Sequence, residues 1–140
     1  MASDLVRFSI AMPEDLLMSF DALVARRGVT SNRSEAIRDL VRDALVDAEW
    51  DTPGQEIVGT LTLVYDHHAS NLTEKLDDVQ HHNHELVIAS MHVHLDERNC
   101  LEVITLRGEN DRIRALADSL LGIKGVKHGR LTTTTTGKYL

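Results

Sequence analysis

The chain has 140 residues, 42% hydrophobic and 26% charged, the make-up of an ordinary soluble protein of one or two small domains. No apolar run approaches the ~20 residues that span a bilayer, and the start, Met-Ala-Ser-Asp, lacks a basic stretch leading into an apolar core, so neither membrane association nor secretion is expected. A formal charge of −7 argues against bulk attraction to polyanions, while a lone cysteine, Cys100, excludes an intrachain disulfide framework and points to the reducing cytoplasm.

Val6 to Ala11 alternate strictly, with Val6, Phe8 and Ile10 on one side and Arg7, Ser9 and Ala11 on the other, which predicts a strand with one buried face. Pro13 sits where a first helical position belongs, followed by Glu14 and Asp15 at the positive end of a helix. Leu16, Phe20, Leu23 and Val24 form the stripe of that helix, which Arg26, Arg27 and a C′ glycine, Gly28, close. A second helix starts at Asn32, where Asn32 and Glu35 have capping-box spacing, and it runs through Ile37, Leu40, Val41, Ala44 and Leu45 to about Ala48. A strand and two helices are too short to bury a core alone, and the strand lacks a ladder partner. Both needs are met by a symmetric dimer with paired strands.

Asp51 to Gln55 form a breaker-rich linker, dividing the chain into residues 1–50, 51–55 and 56–140. Glu56 to Tyr65 then alternate as a strand, and Leu72, Leu76 and Val79 fit one helix face. Leu86 to Leu95 and Cys100 to Leu106 read as strands joined by the turn Asp96-Glu97-Arg98-Asn99. Ile113, Leu116, Ala117 and Leu120 mark another helix, and Val126 to Thr136 a last strand. The expected class is α+β: the carboxy-terminal order strand-helix-strand-strand-helix-strand is the split βαβ arrangement of ferredoxin-like, ACT-like domains.

Eight histidines accompany the one cysteine. His92 and His94 lie two apart on a predicted strand, so both imidazoles leave one sheet face while Met91, Val93 and Leu95 take the other. Cys100, just beyond the turn, falls beside His94 on that face, and Glu102 shares its orientation and is placed to fix an imidazole. Alone, each has an ordinary reading, since buried cysteines behave as small hydrophobes and strand histidines as half-exposed polar positions. Together, and with His81-His82-Asn83-His84 ending the preceding helix, they point to a metal site. Imidazole plus thiolate suits a late first-row metal: zinc in a tetrahedron, nickel(II) or copper(II) in a plane.

Four segments carry a resemblance over nearly the whole chain: Asn32-Arg33-Ser34-Glu35-Ala36-Ile37-Arg38-Asp39, Met91-His92-Val93-His94, Asn99-Cys100-Leu101-Glu102 and Gly125-Val126-Lys127-His128-Gly129. In order and spacing they resemble the nickel-responsive ribbon-helix-helix repressors, the NikR family. The resemblance implies one square-planar Ni(II) per subunit, held by His92, His94 and Cys100 of one subunit and His81 of another, with Gln80 and Glu102 supporting the ligands. It further implies a homotetramer in which two DNA-binding dimers flank a metal-binding core. Palindromic operator DNA would be bound when nickel is present, and the genes controlled would be those of nickel uptake.

Ribbon-helix-helix proteins lay paired strands into the major groove. Arg7 is suited to guanine O6 and N7 and Ser9 to either base, whereas Ala11 replaces the small hydroxyl residue expected there and keeps only a contact to a thymine methyl. Backbone donors around Asn32, Arg33 and Ser34 would grip phosphate at a helix start. Glu35 and Asp39 match acids that hold a second cation in the family, although on their own they read as surface carboxylates. His67, His68, His82 and His84 are either weaker metal sites or solvated polar positions. Two alternatives stand beside this reading: a repressor of the same build answering to an amino acid or to another transition metal, and a zinc enzyme. The enzyme is disfavoured because no general base stands out beyond Glu102 and no nucleophile motif is present.

Overall fold

The computed structural model describes residues 3–27 and 32–140, in two compact units that divide between Arg42 and Asp43. In the first unit, α1 spans Glu14–Arg26 and α2 starts at Arg33 and ends at Asp51, so that the last turns of α2 belong to the second unit.

Pro13 is the N-cap of α1 rather than its first helical residue: its ψ of 145° is not helical, yet its carbonyl accepts the first bond, from the Leu17 amide at 3.0 Å. Gly28, expected to close α1, lies outside the described residues. At the start of α2 the Asn32 side chain accepts from the Glu35 amide at 2.9 Å, half of a capping box. The Glu35 carboxylate turns instead to Arg38 and Arg42, and α2 continues past Ala48 to Asp51. Arg33 holds Asp21 of α1 through two bonds of 2.8 Å.

The strand expected over Val6 to Ala11 does not form; residues 3–12 carry no regular element. Strand geometry is held by ladder bonds to a neighbour, and among the described residues all the strands lie in the second unit, paired with one another. The apolar side of the segment is left in the open, with Val6 85% and Phe8 76% exposed. With Leu5, Ile10, Phe20 and Ile37 these residues line an open concavity of about 730 Å³.

The second unit runs β1(Glu56–Asp66), α3(Leu72–His82), β2(Val87–His94), β3(Asn99–Glu109), α4(Asn110–Leu121) and β4(Val126–Thr134). The sheet order is β2-β3-β1-β4 and every pairing is antiparallel, the split βαβ layout that the element order predicts. Alternation places Ile57, Leu61, Leu63 and Tyr65 of β1, and Cys100, Glu102, Ile104 and Leu106 of β3, on the buried face. Leu72 and Leu76 of α3 and Ile113, Leu116 and Leu120 of α4 complete the core. The reverse face is only half-covered and carries Val58, Val64, Leu101 and Val103.

Two details fix the frame. The buried Asn110 donates to the carbonyls of Glu49, Trp50 and Thr52, adding a side-chain donor at and just beyond the end of α2, where helical partners run out. On β4, Gly129 runs so close to its neighbours that a Cβ there would meet Leu63 Cδ2 and the Thr62 carbonyl oxygen at 2.8 Å.

Candidate metal centre

Register assembles the site. His94 lies opposite Cys100 and His92 opposite Glu102 across β2 and β3, while Tyr65 of β1 lies opposite Cys100 on its other side. Residues directly opposite in an antiparallel pair share a face, so these side chains gather on the helix-covered side where β1 and β2 end and β3 begins. Cys100 Sγ is 3.6 Å from His94 Nδ1, and the rings of His92 and His94 are 5.0 Å apart between centroids.

His67, just past β1, joins them: its donor atom, one from His92 and the Cys100 sulfur all lie within 4.8 Å of one another. The loop carrying His67 is tied to the β2–β3 turn. The His67 amide donates to the Arg98 carbonyl at 2.6 Å, His68 Nε2 meets the Glu97 carbonyl at 3.1 Å, and Arg98 bridges to Asp66 at 2.8 Å. The turn itself is rigidified by Asp96, which accepts from the Asn99 side chain and from the Asn99 and Arg98 amides; these bonds hold its carboxyl down at about 2.

Burial pushes the Cys100 thiol up, and the negative charges of Asp96, Asp66 and Glu102 add to the effect. Tyr65, also buried, is pushed well above the ordinary phenol range, by burial first and then by the charge of Glu102. Its hydroxyl lies 3.1 Å from His92 Nδ1. Glu102, 6% exposed, accepts from Gln80 Nε2 of α3 at 2.9 Å. Two or three imidazoles converging with one thiol, and no carboxylate among the closest donors, fit a late first-row metal rather than calcium or magnesium.

Other singled-out residues fall elsewhere. His81 is exposed at the end of α3, its ring neighbours being His82 at 6.2 Å and His84 at 6.4 Å, and it is not among the donors that converge within the chain. Glu35 and Asp39 are ion-paired with arginines of their own helix, Asp39 with Arg42 at 2.9 Å. Arg7, Ser9, Ala11 and Ser34 are exposed. Reading the sequence alone grouped His67 with the peripheral histidines and passed over Tyr65. The available signal was the strand ending in Tyr65, but only the β1–β3 register turns it into proximity to Cys100.

Comparison with known proteins supplies the rest. The pattern of the NikR C terminal nickel binding domain matches residues 58–134, and that of the ribbon-helix-helix proteins of the copG family matches residues 6–48. A protein of Geobacter sulfurreducens is 53% identical over 135 residues, covering 96% of each chain. One of Solibacter usitatus is 54% identical over the same length and coverage. Both are named "Putative nickel-responsive regulator".

The chain belongs to the nickel-responsive regulator family. In this regulator the amino-terminal part is a ribbon-helix-helix domain and the carboxy-terminal part the family's nickel-binding domain, so the α+β class expected from the sequence holds in both. The family is one of transcription regulators, not enzymes. An uncharacterized protein from Thermotoga maritima shares the fold at a TM-score of 0.51 and 20% identity, covering 56% of the regulator and 96% of its own chain. Among the described residues, no helix is long and apolar enough to cross a membrane.

Proposed function

We propose that this protein is a nickel-dependent repressor that binds a palindromic operator and controls nickel-uptake genes, working in the cytoplasm as a tetramer of two DNA-binding dimers. The observation that carries the reading is the convergence of imidazoles on a buried thiol at one end of a sheet. His92, His94 and Cys100 hold one nickel(II) per chain, and the fourth donor is the partner subunit's His81. Bound there, the metal joins two chains. It therefore favours the assembly in which the site is complete, because a ligand shifts an equilibrium only through its different affinity for the two states.

DNA is gripped at two places in the amino-terminal domain. Arg7, Ser9 and Ala11 reach base edges from paired strands, and the amides at Asn32, Arg33 and Ser34 hold phosphate. The 85% and 76% exposure of Val6 and Phe8 supports strand pairing between two chains, which would cover them.

A second reading of the fourth donor rests on His67, which lies within 4.8 Å of the donors of His92 and Cys100 in the same chain. Nickel titrations followed by electronic absorption separate the possibilities. A thiolate-to-nickel band that saturates at one metal per chain and vanishes in Cys100→Ala establishes the site; its absence from the wild type defeats the reading. Loss of nickel-dependent operator binding in His81→Ala with retention in His67→Ala assigns the fourth donor to the partner, and the opposite pattern assigns it to His67.

A further inference from the structure

The stretch Asp51 to Gln55 has the composition of a loose tether, yet its helix-breaking residues build a fixed turn. The Gln55 amide donates to the Thr52 carbonyl at 3.2 Å, closing a four-residue turn over Pro53 and Gly54. Proline in the second place and glycine in the third, with φ at +77° for Gly54, are the marks of a type II turn. The Thr52 hydroxyl donates back to the Ala48 carbonyl at 2.7 Å, which ties the turn to the end of α2. Asn110 then fastens both to the second unit. Its amide donates to the Gln55 carbonyl at 2.9 Å, and its side-chain nitrogen meets the carbonyls of Glu49, Trp50 and Thr52 at 3.2, 3.0 and 2.5 Å. A carbonyl only accepts, so the side-chain NH2 must face these three; its Oδ1 accepts from the Asp111 amide at 2.8 Å. Both ends of the Asn110 side chain are therefore committed, and the residue is 1% exposed. Nearby, Trp50 packs against the core, with the Arg114 guanidinium 4.2 Å from the centre of its ring.

We infer that the segment joining α2 to β1 is a clamped part of the second unit and not a flexible tether: Asn110 is the clamp, and any movement between the two units is taken up within α2, ahead of Ala48. The division of the chain into units falls there too, between Arg42 and Asp43, so that Ala48 to Gln55 and all their partners named above lie on the same side of it. The inference stands independently of nickel and of DNA. It also gives the connection a direction. Asn110 directly follows β3, the strand that opens with Asn99 and Cys100. A displacement of that strand therefore reaches the end of α2 through a single residue, where a slack loop would absorb it.

Residue-resolved hydrogen exchange on the metal-free, full-length protein tests this, because amides of one cooperative unit open together. The amides of Thr52, Gln55 and Asn110 should exchange along with those of β1 and β3, and the change in protection should fall inside α2, before Ala48. Protection that runs unbroken through α2 and is lost at Thr52 and Gln55, the behaviour of a tether, overturns the inference. Asn110→Asp keeps the shape of the side chain and turns carboxylate oxygens, which cannot donate, towards the three carbonyls. It should speed exchange at Thr52 and Gln55 by about tenfold or more while β1 and β3 stay protected. Trp50 is the only tryptophan in the chain, so its emission should move to the red in the same variant as the ring loosens from the core. An Asn110→Asp protein with unchanged exchange and emission also overturns the inference. Where that variant fails to fold, the exchange pattern of the wild type decides.

Discussion

At Cys100, burial and the charges of Asp96, Asp66 and Glu102 all act against the thiolate, so at neutral pH the thiol keeps its proton. Only the thiolate ligates a metal, and a proton must therefore leave as the metal enters. The sign follows: the pKa is raised, the protonated form dominates below it, and the apparent nickel affinity climbs with pH by about tenfold per unit until the thiol's own pKa is passed. Nickel titrations between pH 6 and 8 should show that slope, and a flat profile would mean that Cys100 is not a ligand. The same protonation should make the metal-free thiol slow to alkylate at neutral pH, a check that needs no metal. At this scale the His92, His94 and Cys100 cluster is legible in the chain, because alternation and a four-residue turn suffice to bring strand neighbours together. His67 and Tyr65 are not legible in the same way: they reach the site only through the pairing of β1 with β3, a contact between residues far apart in sequence.

Among the elements, the helices and inner strands follow from periodicity: Leu72 and Leu76, Ile113, Leu116 and Leu120, and the alternation from Ile57 to Tyr65 mark the buried face without ambiguity. The segment Val6 to Ala11 carries an equally clean alternation and still forms no strand, since pattern supplies a face and not a partner. β4 depends on a different feature, the close approach at Gly129, where the backbone passes directly over Leu63 and the Thr62 carbonyl. Gly129→Ala should overpack this edge and cost about 1–3 kcal/mol, measured as a lowered denaturant midpoint. Leu120→Ala, which empties a fully buried position of α4, should cost about 2–5 kcal/mol by the same measurement. A Gly129→Ala protein of unchanged stability would show that β4 can move away without loss.

For the whole molecule, the exposed row of Leu5, Val6, Phe8 and Ile10 is the largest departure from what a solitary chain tolerates. Phe8→Asp places a charge in the middle of that row. Under the proposed strand pairing it should prevent dimer formation through this domain, seen as a smaller sedimenting species, and abolish operator binding while leaving the nickel absorption band in place. A variant that sediments like the wild type would disprove the pairing. The two assays are independent because the metal donors all lie in the second unit.

Three of the proposed ligands, His92, His94 and Cys100, sit within one β2–β3 hairpin; under the proposed function the fourth would come from another chain. In that arrangement, diluting the protein would remove one donor and leave three, so separated chains should still take up metal, though more weakly. By mass action, the nickel level at which the sites fill then depends on how much of the regulator is present. Under the proposed function, a cell that makes more of it would lower the threshold at which it responds, and abundance would become a setting of the sensor.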